Sequence, residues 1–538
     1  MMASKIDNGT VKYLPVLIAL VTLWLSLVIE FVAILVINSG VMVYTLDDAY
    51  IHLAISKNIH NYHIFGITRY GFSSSSSSPF WNLILSAVFV LVGVSDMVPL
   101  VLNIIFASVA VVVLFELLKD MGMSLKYLTA VLLSFVFFTS LPGLVFTGME
   151  HMLHVFLSMT LFVLSAKILS AEESNIEQSI VLLVVTLLSS AVRIETIFLV
   201  FPIIMLFLMK RKWLYALAIF SMASLPWAIY GIVSIENGWL LLPNSLLVKS
   251  VDAMNEGIRY FFVRGVGALL ISPHLVALII ASIKLTSSKE YGFWHIGNVM
   301  RVIFVTACLL HVYLGRVGWF FRYEAYLVAI GVIAISIQGR QFLSNLDLAS
   351  IRMPIIGTGL ERKRLYGLGL VVLFIAPLAG RGILVLYLTP IASNNIYDQQ
   401  YQMGLFLDRF YTGDTVLIND IGCVNYLSDI HCVDKWGIAS LEIGEFLLNG
   451  SMSPSVLKTI AIERGVEIAV VYADNLIPAE WEEVGSWTIP DNIVASNKTV
   501  SFFAVMPSER DRLIGNLVLF SSELPENVIQ RGLYTTLL

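Results

Sequence analysis

Two adjacent carboxylates stand in the segment Thr45-Leu46-Asp47-Asp48-Ala49-Tyr50-Ile51-His52, shortly after an apolar run that ends near Ile37. Like charges side by side raise one another's proton affinity, so such a pair could orient a hydroxyl and take its proton. The same residues fit a structural role. Thr45 and Asp48 have capping-box spacing, and acids in a first helical turn complement the helix dipole. The stretch from Ala49 to His60 reads as an amphipathic helix, with Ile51, Ile55 and Ile59 on one stripe and His52, Ser56 and His60 on another. Capping and catalysis are compatible.

Further ionisable and polar groups recur at the ends of apolar runs. Thr147-Gly148-Met149-Glu150-His151 opens one run, and Arg193-Ile194-Glu195 separates two others. Charges there are costly unless paired or hydrated, so they mark either a cavity lined by His52, Glu150, His151 and Glu195 or an ion pair among Arg193, Glu195 and Glu150. Leu242-Pro243-Asn244-Ser245 with Lys249, and Arg316 with Arg322-Tyr323, lie in later connections. A guanidinium binds phosphate bidentately, so arginines on a face that basic residues normally avoid suggest an anion, with interfacial snorkelling as the alternative. Six serines, Ser73 to Ser78, precede Pro79-Phe80-Trp81. Such a run is expected to be a flexible linker, or a mobile rim where substrate enters.

The elements that must hold these groups are membrane spans. Of 538 residues 58% are hydrophobic and only 13% charged, and the mean hydropathy is +0.84, whereas soluble domains carry roughly 25% charge. The formal charge of -5 excludes the basic bias of a nucleic-acid binder. Apolar runs longer than the roughly 18 residues that cross a bilayer continue to about residue 390. The first follows Lys5 and Lys12 and reads as an uncleaved signal anchor. Placing Lys210-Arg211-Lys212 and Arg362-Lys363-Arg364 inside predicts eleven crossings: 15 to 37, 97 to 118, 126 to 142, 150 to 170, 177 to 194, 196 to 209, 213 to 233, 258 to 283, 297 to 315, 323 to 338 and 365 to 389.

The stretch from Pro79 to Val94 is left out of that count as an interfacial or re-entrant helix, so that a first outer loop runs from 38 to 96. All the candidate residues then lie on the extracytoplasmic side of a multi-pass protein of the cell membrane. Residues 391 to 538 have globular composition and alternate strand-like and helix-like runs. Thr415 to Asp420 and Ile468 to Tyr472 read as buried strands, and Ser455 to Arg464 as a helix stopped by Gly465. The expected fold is therefore a polytopic helical domain, 1 to 390, followed by an extracytoplasmic α/β domain that covers the cavity or holds an acceptor. Asp420 and Asp434 follow strand-like runs, where turn roles compete with ligand contacts. Cys423 and Cys432 are either two free thiols or a disulfide.

Asp47-Asp48-Ala49-Tyr50-Ile51, Ser78-Pro79-Phe80-Trp81, Gly148-Met149-Glu150, Arg193-Ile194-Glu195, Leu242-Pro243-Asn244-Ser245 with Lys249, Arg322-Tyr323 and Asn419-Asp420-Ile421-Gly422 follow one another over nearly the whole chain. In this order they resemble the GT-C class of membrane glycosyltransferases, and within it the terminal arabinofuranosyltransferase-like branch. The resemblance implies a polyprenyl-phosphate sugar donor and transfer, usually with inversion, to a hydroxyl of an extracytoplasmic glycan, lipid or protein acceptor. It implies Asp47 or Asp48 as base, with Asp47 favoured, and donor-phosphate contacts from Arg322 and Lys249. Arg193, Tyr323 and Asn244 are expected on the same substrate-binding side. The class includes metal-dependent members, and the paired carboxylates could also hold Mg2+ or Mn2+. The rival reading is a secondary transporter or flippase, which would show internal repeats and interrupted helices at mid-membrane depth. No convincing repeat is present.

Overall fold

Leu14–Ile37 is a 24-residue helix that is apolar apart from Thr22, Ser26 and the buried Glu30. Only one stripe, with Ala19, Leu23 and Ile34, is buried, while Leu25, Val28, Ile29 and Val36 are exposed. A helix of that kind faces lipid on its outer side. It begins the computed structural model, which describes residues 12–119, 121–173, 175–248, 263–285, 292–339 and 359–538, with backbone only for 359–371, 373 and 374. Lys249 and the connection at 340–358 lie outside the described residues.

Six described helices are long and apolar enough to cross a membrane: Leu14–Ile37, Met97–Leu118, His151–Ser170, Trp213–Glu236, Ile296–Leu314 and one within 375–410. A seventh candidate is the broken pair Val263–Ile271 and Pro273–Lys284, bent by 90°. Shorter apolar helices occupy Leu125–Phe138, Ile176–Val192, Ile194–Met209 and Ala325–Gln338. A helix thus stands at each of the eleven expected spans, although four are shorter than a full bilayer crossing. The chain is a polytopic helical membrane protein. Pro79–Val92 is a separate 14-residue helix, with Trp81, Asn82, Leu85 and Phe89 buried and Val90, Leu91 and Val92 exposed.

The last long helix, Gly359–Ile396, does not stop at residue 390. It passes through a π-helical turn at Tyr397–Tyr401 into Gln402–Phe410, so the bundle joins the C-terminal sheet by almost continuous helix. The sheet has six strands: β1 Thr415–Ile418, β2 His431–Asp434, β3 Ile468–Val471, β4 Glu482–Thr488, β5 Thr499–Ala504 and β6 Ile529–Gly532. Their spatial order is β2-β1-β3-β5-β4-β6. The β2-β1-β3 half is parallel, and β3, β5, β4 and β6 pair antiparallel. The helix read from Ser455 to Arg464 is present as Pro454–Arg464. Ser453 accepts a hydrogen bond from the Val456 amide, and Gly465 closes the helix at φ +65°.

The first loop and this sheet share one core. Ile51, Ala54, Ile55 and Ile67 pack with Phe406, Val416, Ile418, Trp487 and Phe502. Both stripes of the Asp48–Tyr62 helix are therefore buried, the isoleucines toward the sheet and His52 and Ser56 toward Asn82.

Two sequence expectations change. The serine run is not a flexible rim: Ser73, Ser74, Ser75, Ser76 and Ser78 are buried. Their hydroxyls are used, since Ser78 donates to Val192 O at 2.8 Å, Ser74 pairs with the Tyr230 hydroxyl at 2.7 Å, and Ser76 donates to Asn82 Oδ1 at 2.7 Å. Serine is small enough to lie in a crowded extended strip and polar enough to satisfy it. The capping box is also absent. The helix starts with Asp47 as N-cap and without a side-chain cap, while Thr45 Oγ1 faces Phe146 O at 3.4 Å. All three cysteines are free thiols.

Candidate functional site

Eight of the sequence candidates form one connected cluster. Arg193 Nη1 donates to Glu150 Oε1 at 2.6 Å, and its Nε donates to Glu195 Oε2 at 2.9 Å. A second bond from Nη2 makes the contact with Glu195 bidentate. Arg193 thereby neutralises both carboxylates. The expected ion pair is therefore present, with Glu150 0% exposed, Arg193 4% and the Glu195 side chain 13%. His52 Nε2 lies 3.4 Å from Glu150 Oε2, and His52 Nδ1 lies 2.9 Å from Asn82 Oδ1. That amide oxygen only accepts, so Nδ1 carries the hydrogen and Nε2 turns to Glu150. Gly148, at φ +66°, allows the approach, because a Cβ there would lie 2.6 Å from the Tyr44 ring.

Tyr323 links this buried group to the acidic pair. The Arg193 guanidinium lies 5.8 Å from its ring centroid and that of Arg322 4.9 Å, and the His151 ring is 6.1 Å away. Arg322 Nη2 donates to the Tyr323 hydroxyl at 3.1 Å and forms a charge-assisted bond with Asp48 Oδ2. The Arg322 side chain is 2% exposed and that of Asp48 27%. Among the described residues, Arg322 Nε and Nη1 and both His151 ring nitrogens are buried without a hydrogen-bond partner. Buried donors without partners are expensive, and the two open guanidinium nitrogens of Arg322 are chemically suited to an anion.

The loop that carries Arg322 is wound the wrong way. Gly318, Trp319, Phe320 and Phe321 all have positive φ, at roughly 1–2 kcal/mol for each non-glycine residue. Glu324 accepts from the Gly318 amide at 2.9 Å. Arg381 donates to Phe321 O at 2.5 Å, to Phe138 O at 2.8 Å and to Ser140 Oγ at 2.9 Å. Arg381 was not among the sequence candidates. Its signal was available, as an arginine in the middle of an apolar run that must find partners.

Asp47 faces the other way, toward the sheet domain. Its two oxygens accept from the amides of Gly422, at 2.8 Å, and Cys423, at 2.7 Å. Gly422 is required by this contact, because a Cβ there would lie 2.1 Å from Asp47 O. Asp47 is half-buried, as are Asp48 and Asp420. Burial first, and the negative charge of Asp420 second, push Asp47 up to about 8 against the pull of the two amides. Burial also raises Asp420. Its Oδ2 accepts from Gln400 Nε2 at 2.9 Å and from the Tyr472 hydroxyl.

Asn244 sits apart from the Arg322 guanidinium. It is buried against the sheet domain with Nδ2 donating to Gly437 O at 3.1 Å. Asp434 has the turn role, accepting from the Trp436 and Ala439 amides at 2.9 and 2.7 Å. Among the described residues no group of three or more His, Cys, Asp or Glu side chains is arranged to hold a metal ion; the Asp47 oxygens are taken by two backbone amides and Asp48 by Arg322.

A family model described as a domain of unknown function (DUF8728) matches residues 394–503. No curated protein matches the chain. The crystal structure of ArnT from Cupriavidus metallidurans bound to undecaprenyl phosphate superimposes with a TM-score of 0.51 at 12% identity, covering 90% of this chain and 98% of that one. The apo crystal structure of the same protein gives 0.49 at 12% identity, over 91% and 98%. The likeness concerns fold and does not single out the arabinofuranosyltransferase branch. Over nearly its whole length, this chain has an ArnT-like fold, a polytopic helical bundle with a small C-terminal sheet domain.

Proposed function

We propose that this chain is a membrane glycosyltransferase that moves a sugar from a polyprenyl-phosphate donor to a hydroxyl of an extracytoplasmic acceptor. The observation that carries the reading is the buried Arg322 guanidinium, held on Asp48, the sequence neighbour of Asp47, through one nitrogen while Nε and Nη1 have no hydrogen-bond partner among the described residues. The likeness to ArnT, whose structure holds undecaprenyl phosphate, supports a polyprenyl-phosphate donor. In this reading the donor phosphate occupies the Arg322 and His151 seat, with Lys249 as a further cation.

Asp47 takes the acceptor proton as the acceptor oxygen bonds to the anomeric carbon. The bond from that carbon to the phosphate oxygen breaks, and its electron pair leaves with the polyprenyl phosphate, whose added charge Arg322 stabilises. Asp47 suits the base better than Asp48, because burial and the Asp420 charge raise its proton affinity, whereas Arg322 already neutralises Asp48. Arg193, Glu150 and Glu195 form the buried ion pair behind Tyr323, with His52 against Glu150. In this reading residues 391–538 form the extracytoplasmic domain. The finer assignment, a terminal arabinofuranosyltransferase with a pentosyl donor, rests on the motif order alone.

The test is sugar transfer by the purified full chain from polyprenyl-phosphate sugars. Asp47→Asn is expected to lower kcat by at least about 100-fold, and Arg322→Lys to lower kcat/KM on the order of 100-fold, since an ammonium cannot replace two guanidinium donors. Normal transfer by both Asp47→Asn and Asp48→Asn variants would remove the proposed base. Movement of a lipid-linked sugar across liposomes without covalent product would favour the transporter reading instead.

A further inference from the structure

The parallel half of the C-terminal sheet runs β2-β1-β3, so the chain leaves β1 toward one side and β3 toward the other. The carboxyl ends of β1 and β3 therefore flank a topological switch point, the place where open α/β sheets form a binding crevice. Asn419 and Asp420 follow β1, and Tyr472 follows β3. Asn419 Oδ1 accepts from the Tyr472 amide at 2.7 Å, tying the two ends together.

The crevice is lined with hydroxyl-binding chemistry and faces the acidic pair. Asp420 is half-buried, so its carboxylate meets accessible space. Gln400, 1% exposed, is brought there by the π-helical turn Tyr397–Tyr401, a feature that recurs at functional sites. Its Nε2 contacts Asp420, the Tyr472 hydroxyl and Gln399, while its Oε1 has no hydrogen-bond partner among the described residues. Asp47 lies beside it, with its carboxylate on the Gly422 and Cys423 amides two and three residues beyond Asp420. A carboxylate, an amide oxygen awaiting a donor and a phenol, set beside a base, match neighbouring hydroxyls of a carbohydrate. They do not match a phosphate, which two carboxylates would repel.

We propose that this switch-point crevice is the acceptor subsite, in which Asp420, Gln400 and Tyr472 grip vicinal hydroxyls of a carbohydrate and present one to Asp47. The inference rests on the glycosyltransferase reading for its direction, and on the crevice for its location. The sheet domain is then part of the substrate-binding machinery, and acceptor and donor enter from opposite sides of the acidic pair.

Saturation-transfer NMR on the full chain in nanodiscs, with a set of unprotected methyl glycosides as probes, tests the subsite directly. At least one glycoside is expected to contact the wild-type protein, with the signal falling at least fivefold in both Asp420→Asn and Gln400→Ala. Tyr472→Phe removes one hydroxyl and little volume, so a partial loss is expected in a protein of wild-type thermal stability. Unchanged contact in all three variants, or no contact with the wild type, would overturn the subsite. Sugar contact that follows this pattern in a protein that transfers nothing from polyprenyl-phosphate donors would overturn the proposed function and leave the subsite standing. In a transferring enzyme, Asp420→Asn is expected to raise the acceptor KM at least tenfold, with a smaller change in kcat.

Discussion

Asp47 is held between opposing influences. Two backbone amides favour its charged form, while burial, and then the charge of Asp420, favour the neutral one and raise it to about 8. The groups facing it are Asp48 on its own element and Asp420, Cys423 and Tyr472 from the sheet domain. A base must be ionised to work, so the rate at limiting acceptor is expected to rise with pH and level off as pH passes about 8. Removing the Asp420 charge removes the second of three raising causes, the others being burial and the charge of Asp48. The acidic limb of the pH profile should therefore move to lower pH in Asp420→Asn, and a limb that stays in place would argue against Asp47 as the titrating group. At this scale the sequence was informative about identity and poor on partners. The Arg193, Glu195 and Glu150 pair was readable because buried charges must be neutralised. The bond between Arg322 and Asp48 joins residues 274 positions apart, a pairing that local spacing does not determine.

Among the elements, the six-residue helix Gly422–Leu427 and the first-loop helix depend on one another. Gly422→Ala would place a Cβ 2.1 Å from Asp47 O, far inside van der Waals contact. The backbones must separate and both amide bonds to Asp47 are strained or lost. The expected outcome is a thermally less stable protein, by a few kcal/mol as for other overpacked sites, with faster amide exchange at Asp48–Tyr62. Exchange and melting like those of the wild type would show that the contact is not tight. The serine run illustrates the opposite difficulty. Its composition reads as linker, yet its hydroxyls serve Asn82, Val192 and Tyr230 from three separate elements, and composition carries no information about such distant acceptors. Likewise, the left-handed run before Arg322 has one glycine and three aromatic residues, which local preference would not choose. Tertiary anchors on both sides impose it, chiefly Arg381 on the Phe321 carbonyl.

For the whole molecule, the central expectation is sidedness. Arg211 and Ser496 are both exposed, and they lie on opposite faces if the basic-loop assignment is right. A membrane-impermeant maleimide added to intact cells is expected to label Ser496→Cys and to label Arg211→Cys only after permeabilisation. The reverse pattern would invert the protein and place its carboxylates in the cytoplasm.

The apolar runs and the basic loops determined, without any structure, that this is a polytopic helical membrane protein with a sheet-containing tail. Those features follow from local composition and from transfer of side chains between water and lipid. Tertiary structure alone decided that Asp47 and Asp48, neighbours in sequence, point to different partners, one to the amides of the tail and the other to Arg322. Hydrogen-bond and charge complementarity act between whichever groups the packed elements bring within about 3 Å, and that proximity is a property of the assembled fold.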